Sequence, residues 1–93
     1  MYVTIRRYED NQALADRLAA RGDEIREIMS RVSGFHAYYL VRGTGGTASV
    51  TVCDDQAGAE ETNQLAAGWL RENMPDAVSA PPHVNAGEVV LNF

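Results

Sequence analysis

Residues 34–55 decide the fold, and they read Gly-Phe-His-Ala-Tyr-Tyr-Leu-Val-Arg (34–42), Gly-Thr-Gly-Gly (43–46) and Thr-Ala-Ser-Val-Thr-Val-Cys-Asp-Asp (47–55). The first part is rich in aromatic and aliphatic residues, as β-strands are. The last part alternates apolar and polar side chains with the period of a half-buried strand. The glycines between them tolerate the positive φ of hairpin turns. The stretch therefore predicts an antiparallel hairpin. A phosphate-binding loop would need a helix after its glycines, whereas here a strand follows.

A strand and a helical segment precede the hairpin. Residues 2–8 alternate as a strand does. Asp10 or Asn11 can cap a helix that runs to about Arg31, because either side chain accepts a hydrogen bond from an early backbone N–H. Gly22 weakens this helix and predicts a kink or a break.

A second helix and a last strand follow the hairpin. Asp54 or Asp55 caps the helix, which runs to about Asn73 before Pro75 limits it. The segment 84–93 predicts a strand. The order β-α-β-β-α-β is that of the ferredoxin-like α+β fold, in which both helices cover one face of an antiparallel sheet and the first and third strands are central.

Strand alternation predicts which side chains face the helices. We expect the apolar sets to do so, namely Val3, Ile5, Phe35, Ala37, Tyr39, Val41, Ala48, Val50 and Val52. The opposite face then carries Tyr2, Thr4, Arg6, Tyr8, His36, Tyr38, Leu40, Ser49, Thr51 and Cys53. That face is too aromatic for plain solvent exposure. It therefore predicts a homodimer in which two sheets enclose a partly polar cavity.

Composition narrows the class of protein. The 93 residues predict a single domain over 1–93. A net charge of −5 without a basic patch argues against a nucleic-acid partner, and no apolar run is long enough to cross a membrane. The single cysteine cannot form an internal disulfide, which favours the cytoplasm. The two histidines are far apart and lack a cysteine pair or clustered carboxylates, so no metal site is expected.

Over nearly its whole length the chain resembles the antibiotic-biosynthesis-monooxygenase-like family of dimeric α/β-barrel proteins, and within it a small bacterial subgroup of unassigned function. The resemblance is carried by turns, caps and packing positions: residues 1–9, 33–35, 37–39, 54–63, 66–73, 81–82 and 87–90. It implies a homodimer with a cavity between sheet and helices in each subunit. Some members oxidise polyketide aromatics with O₂ and no cofactor, others bind or degrade haem, and some have no known activity.

At the positions that carry catalysis in the two enzyme types, this chain has different residues. The quinone-forming monooxygenases use an asparagine late in the third strand and a tryptophan just after it, where this chain has Thr51 and Asp55. The haem-degrading members use an asparagine in the first strand, where this chain offers Arg6, and a histidine shortly after a helical tryptophan. After Trp69 no histidine appears before His83.

Six side chains are candidates for a ligand pocket: Arg6, Tyr8, His36, Tyr38, Thr51 and Trp69. Arg6 would hold a phenolate, enolate or carboxylate by charge-assisted hydrogen bonds; the alternative is a salt bridge to a residue such as Glu88. We expect Arg6 on the face away from the helices. An Arg6 that points to the helices, or that is tied to Glu88 in bulk solvent, would remove the basis for any anion site here.

The other candidates also have two interpretations. His36 is either a general base or a surface or interface residue. Tyr8 and Tyr38 either contact an aromatic ligand or cover the dimer interface. Trp69 is core or pocket wall rather than catalyst, and it borders the pocket only if the pocket opens between helix and sheet. Cys53 has no neighbouring base, which argues against a nucleophile.

The sequence therefore predicts a small-molecule-binding dimeric α/β barrel without a cofactor. The leading activity is cofactor-independent monooxygenation of an aromatic or polyketide-like substrate. The alternative is a non-catalytic ligand-binding or interaction protein with the same dimer, and haem binding is third. The residues alone do not decide whether the protein is an enzyme.

Overall fold

The computed structural model describes residues 1–93 and contains four strands and three helices. Their order is β1 (Tyr2–Glu9), α1 (Ala13–Ala19), α2 (Gly22–Ser30), β2 (Phe35–Gly43), β3 (Gly46–Cys53), α3 (Gln56–Asn73) and β4 (His83–Glu88). This confirms the predicted α+β ferredoxin-like arrangement, with the first helical segment divided in two.

The strands form one antiparallel sheet in the order β2-β3-β1-β4, so the first and third strands are central, as predicted. The hairpin of residues 34–55 is present as β2 and β3. The helices cover one face of the sheet, which we call the inner face. The core there contains Tyr8, Leu14, Leu18, Ile25, Met29 and Met74.

The observed helix ends agree only partly with those predicted from the sequence. The first segment breaks at Arg21, whose φ of −119° and ψ of 31° are not helical. Asp10 does not cap α1, because it adopts a positive φ of 57° in the turn after β1; Gln12 holds the cap position without a side-chain bond. For α3 the cap is Asp55, whose side chain accepts a hydrogen bond from the Gly58 N–H at 2.9 Å.

The predicted orientation of the strands was wrong, except at Phe35, which packs on the core as predicted. On β1 and β3 the polar set faces the helices: Thr4, Arg6, Tyr8, Thr47, Ser49, Thr51 and Cys53 are all buried. On β2 an irregularity between Phe35 and Ala37 shifts the alternation, so that Phe35, Tyr38 and Leu40 pack on the core. The alternation itself was correct, but we assigned its polar half to the outside because polar side chains are usually exposed.

The outer face of the sheet is consequently apolar. Val3, Ile5, Val50 and Val52 of the central strands are only half-buried there. The neighbouring β2 side chains Tyr39 and Val41 are 59% and 47% exposed, although both are large and apolar. No helix here is both long enough and apolar enough to cross a membrane.

The last strand is shorter than predicted. It ends at Glu88, which pairs with Tyr2, the first residue of β1. One more backbone hydrogen bond follows, from the Val89 N–H to the Met1 carbonyl oxygen at 2.9 Å, and residues 90–93 extend past the sheet. Val90, Leu91 and Phe93 are accordingly exposed.

Cys53 ends β3 beneath the first turn of α3 and is fully buried. A Cβ added at Gly58 would lie 3.3 Å from the Cys53 Cβ and 3.2 Å from the Ser33 carbonyl oxygen. The missing side chain at Gly58 therefore lets the helix lie close to the end of the strand.

Candidate functional site: a buried arginine beside an apolar cavity

The site is built around Arg6, whose side chain leaves β1 on the inner face and is only 2% exposed. Its Nε donates to the Ser49 Oγ at 3.0 Å and its Nη2 to the Thr51 Oγ1 at 2.7 Å. Both acceptors lie on β3, where Ser49 is the direct partner of Arg6 in the ladder. Nη1 donates to the Asn63 Oδ1 of α3. Sheet and helix together therefore fix the guanidinium.

No carboxylate accompanies this cation. All three acceptors are neutral, and none of the ion pairs in the structure includes Arg6. The alternative of a salt bridge to Glu88 is therefore wrong. Burial lowers the pKa of the Arg6 guanidinium, while Tyr8, Tyr38 and Cys53 oppose that change. Because arginine keeps its charge in proteins, an uncompensated positive charge lies inside the molecule.

A cavity of about 530 Å³ opens beside Arg6, between α3, the edge of β4 and the segment that joins them. Its apolar walls are Ala67, Leu70, Met74, Pro75, Val78, Pro81, Pro82 and Val84, and its polar residues are Arg6, Tyr8, Asn63 and Arg71. No acidic side chain lines it. Apolar walls with a few polar groups are typical of small-molecule sites, and the volume lies within their usual range of about 300–1,000 Å³.

The segment that closes the cavity, residues 75–82, is attached to the rest of the molecule at two points. The Asn11 side-chain amide donates to the Ala77 carbonyl oxygen at 2.8 Å. Asp76 forms a partly exposed ion pair with Arg17 of α1 at 3.5 Å. These contacts hold the wall formed by Val78 and the two prolines against the sheet.

Arg6 also borders a second, much smaller gap of about 20 Å³. Tyr8, Tyr38 and Trp69 border it together with Arg6. Burial raises the pKa of Tyr8 and that of Tyr38, and the positive charge of Arg6 partly opposes both increases. Trp69 packs against the core and stacks under the Arg21 guanidinium, 4.9 Å from the ring centroid.

The structure thus brings five of the six sequence candidates together. Arg6 and Tyr8 line the cavity, Tyr38 and Trp69 border the gap, and Thr51 holds the Arg6 guanidinium. They meet on the inner face, because Arg6 points to the helices. The anion site predicted from strand alternation is therefore wrong, and any anion site at Arg6 has to rest on the cavity of the inner face instead. The inner location agrees with the cavity between sheet and helices that the family resemblance implied.

His36 is not part of this group. It lies on the edge strand β2 with its side chain 47% exposed, and its Nε2 pairs with the Asp54 carboxylate. It lines a separate groove along that edge, together with Tyr38. The second histidine, His83, is the first residue of β4, and its side chain is exposed.

Sequence reasoning missed Asn63, Ser49 and Arg71. Asn63 had a detectable signal, because it lies four residues after Ala59 and seven before Leu70, on the inner stripe of α3. A polar residue on a buried stripe indicates a buried polar partner. No sequence pattern indicated that residues 74–82 would line the cavity, because their positions depend on the conformation of a loop. No group of three or more histidine, cysteine, aspartate or glutamate side chains is arranged to hold a metal ion.

Neither a family model nor a curated protein matches the chain, but solved structures resemble it over almost their whole length. A protein of unknown function from Nitrosomonas europaea, NE2512, is 26% identical with a TM-score of 0.68, covering 99% of this chain and 90% of that one. The heme-degrader MhuD from Mycobacterium tuberculosis, solved with two hemes in its active site, is 20% identical with a TM-score of 0.71, at coverages of 100% and 99%.

A third similar structure is the monooxygenase from the gene ActVA-Orf6 of Streptomyces coelicolor, in complex with Nanaomycin D. It is 15% identical with a TM-score of 0.64, at coverages of 98% and 91%. Identities this low establish the fold and not the activity. The chain has the ferredoxin-like α+β fold of the antibiotic-biosynthesis-monooxygenase-like proteins.

Proposed function

We propose that this protein is a homodimer that binds an apolar organic anion, such as an aromatic carboxylate, phenolate or enolate, in the cavity beside Arg6. The observation that supports this is the buried guanidinium without a counterion. Burying an unpaired charge costs several kcal/mol, and a bound anion would offset that cost through charge-assisted hydrogen bonds. The apolar walls suit the body of such a ligand.

The homodimer is supported by the outer face of the sheet. Large apolar side chains such as Tyr39 and Val41 are exposed there, next to the half-buried valines of the central strands. A second copy laid sheet against sheet would remove this surface from water. The single buried cysteine is consistent with a reducing compartment, so we place the protein in the cytoplasm.

Cofactor-independent oxygenation is the second candidate function. The same cation would favour the enolate or phenolate form of an aromatic substrate, and that anion would itself give electrons to O₂. The net reaction replaces a ring CH₂ by C=O and releases water. Haem binding is the third candidate; no histidine or cysteine lines the cavity to ligate iron.

Arg26 provides the control for the test, because its side chain is exposed on α2, outside the cavity and away from the outer face of the sheet. The melting temperature should rise with aromatic carboxylates in the wild type and in Arg26→Gln, and stay unchanged in Arg6→Gln. Equal stabilisation of all three proteins would show that Arg6 does not bind the anion. Oxygen uptake with an anthrone substrate tests the oxygenase, and the absorbance spectrum after haem addition tests the third candidate.

A further inference from the structure

The cavity beside Arg6 contains a second arginine. Arg71 lies on α3 and lines the rim of the cavity, where it is exposed. Four of the eight arginines form ion pairs with carboxylates, namely Arg17, Arg21, Arg31 and Arg42. Arg71 is not among them. Both arginines of the cavity therefore lack a carboxylate partner, in a chain whose net charge is −5.

The two cations lie at different places along the cavity. Asn63 of α3 accepts a hydrogen bond from Arg6, so it shows where along the helix the buried cation lies. Arg71 follows eight residues later, which is about 12 Å along the helix axis at 1.5 Å per residue. Between them the helix contributes Ala67 and Leu70 to the wall. The cavity thus has a buried cation, an apolar middle section and a second cation at its entrance.

We propose that the ligand is a dianion, with one acidic group on Arg6, a flat or extended apolar body along α3, and a second acidic group on Arg71 at the rim. This inference rests on the proposed function, because it specifies the ligand of the same cavity. Arg71 would then be a specificity-determining residue that distinguishes a diacid from the monoacid of the same shape.

Two probe compounds that differ by one carboxylate test this inference: biphenyl-4-carboxylate and biphenyl-4,4′-dicarboxylate. Titration calorimetry on the full chain should give the dicarboxylate a Kd lower by about three- to tenfold, since the second ion pair is partly exposed. Arg71→Gln should abolish that preference, so that the two probes bind the variant with equal Kd. Arg26→Gln is the control, because Arg26 is also exposed and unpaired but lies on α2, outside this cavity.

The outcomes separate the two proposals. Binding of both probes with equal affinity, or a preference that survives in Arg71→Gln, would overturn the dianion inference and leave the anion site standing. Absence of binding by either probe at millimolar concentration would overturn both. Because the Arg71 side chain is exposed, its substitution leaves the fold intact, and a circular dichroism melt checks this directly.

Discussion

Arg6 and Arg7 are consecutive residues of β1, yet the guanidinium of Arg6 is buried under α3 while Arg7 lies exposed on the other side of the sheet. Strand alternation alone places them on opposite faces. Their difference in burial makes Arg6 a candidate binding residue and places Arg7 on the face proposed as the dimer interface.

The first prediction concerns the stability of Arg6 variants. Arg6→Met removes a buried charge that has no charged partner, but it also leaves the Ser49, Thr51 and Asn63 acceptors without their donor. Because the loss of the buried charge offsets part of that penalty, we expect the free energy of unfolding to fall by no more than about 2 kcal/mol, whereas removing one partner of a compensated buried pair costs about 3–5 kcal/mol. Urea unfolding measures this. A loss of that larger size would make Arg6 a structural residue rather than a binding residue.

The second prediction concerns the dimer. A carboxylate introduced by Val50→Asp would lie on the outer face, in the middle of the sheet beside Tyr39 and Ile5. Light scattering should give twice the 10.2 kDa chain mass for the wild type and a value near one chain mass for the variant. Gln64→Glu adds the same charge at an exposed position of α3 and should remain dimeric. A wild-type protein that stays monomeric at high concentration contradicts the proposed interface.

The third prediction concerns Trp69. Its ring is only half-buried, so Trp69→Ala should cost roughly 2–3 kcal/mol, below the range of about 3–5 kcal/mol for a fully buried aromatic side chain. Arg21→Ala removes the stacked cation together with its exposed ion pair to Glu24 and its hydrogen bond to Asn73, and should cost about 1 kcal/mol. Denaturant melts of the two variants compare the contributions. Equal losses would show that the cation contact, and not the packing, accounts for the effect of Trp69.

The fourth prediction concerns the hairpin glycines. Gly46 has a φ of 140°, and a Cβ there would lie 2.2 Å from the Tyr8 carbonyl oxygen. Gly46→Ala should therefore destabilise the protein by roughly 3 kcal/mol or more. A Cβ at Gly45 would meet nothing within 4 Å, so Gly45→Ala is the matched control. A stable Gly46→Ala protein would mean that the β1–β3 contact is looser than the structure indicates.

The fifth prediction concerns alkaline pH. Burial raises the pKa of Tyr8 and Tyr38 above the ordinary tyrosine range. The unfolded chain then releases these protons at a lower pH than the folded protein does, so stability must fall as pH rises beyond about 10. Urea midpoints between pH 9 and 11 should decline, and the decline should be smaller in Tyr38→Phe. An identical slope in that variant would show that Tyr38 ionises equally in both states.

The sequence predicted the element order, the hairpin, the central strands and a cap at Asp54 or Asp55, of which Asp55 is the one observed, because these depend on local patterns. It did not predict which half of the strand alternation faces the helices. That choice depends on the hydrogen bonds between Arg6, Ser49, Thr51 and Asn63, which join positions more than 40 residues apart. A buried polar network reverses the rule that polar residues lie outside, and such reversals are expected at functional sites.

The position of Cys53 gives the molecule a chemical reporter. Its thiol is fully buried under the first turn of α3, and burial, reinforced by Asp55 and Asp54, raises its pKa, so the reactive thiolate is scarce. Labelling by a thiol reagent therefore requires α3 to separate from the end of β3. The rate at which Cys53 is labelled therefore measures how often α3, which covers Arg6, separates from the sheet. The measurement needs no introduced cysteine.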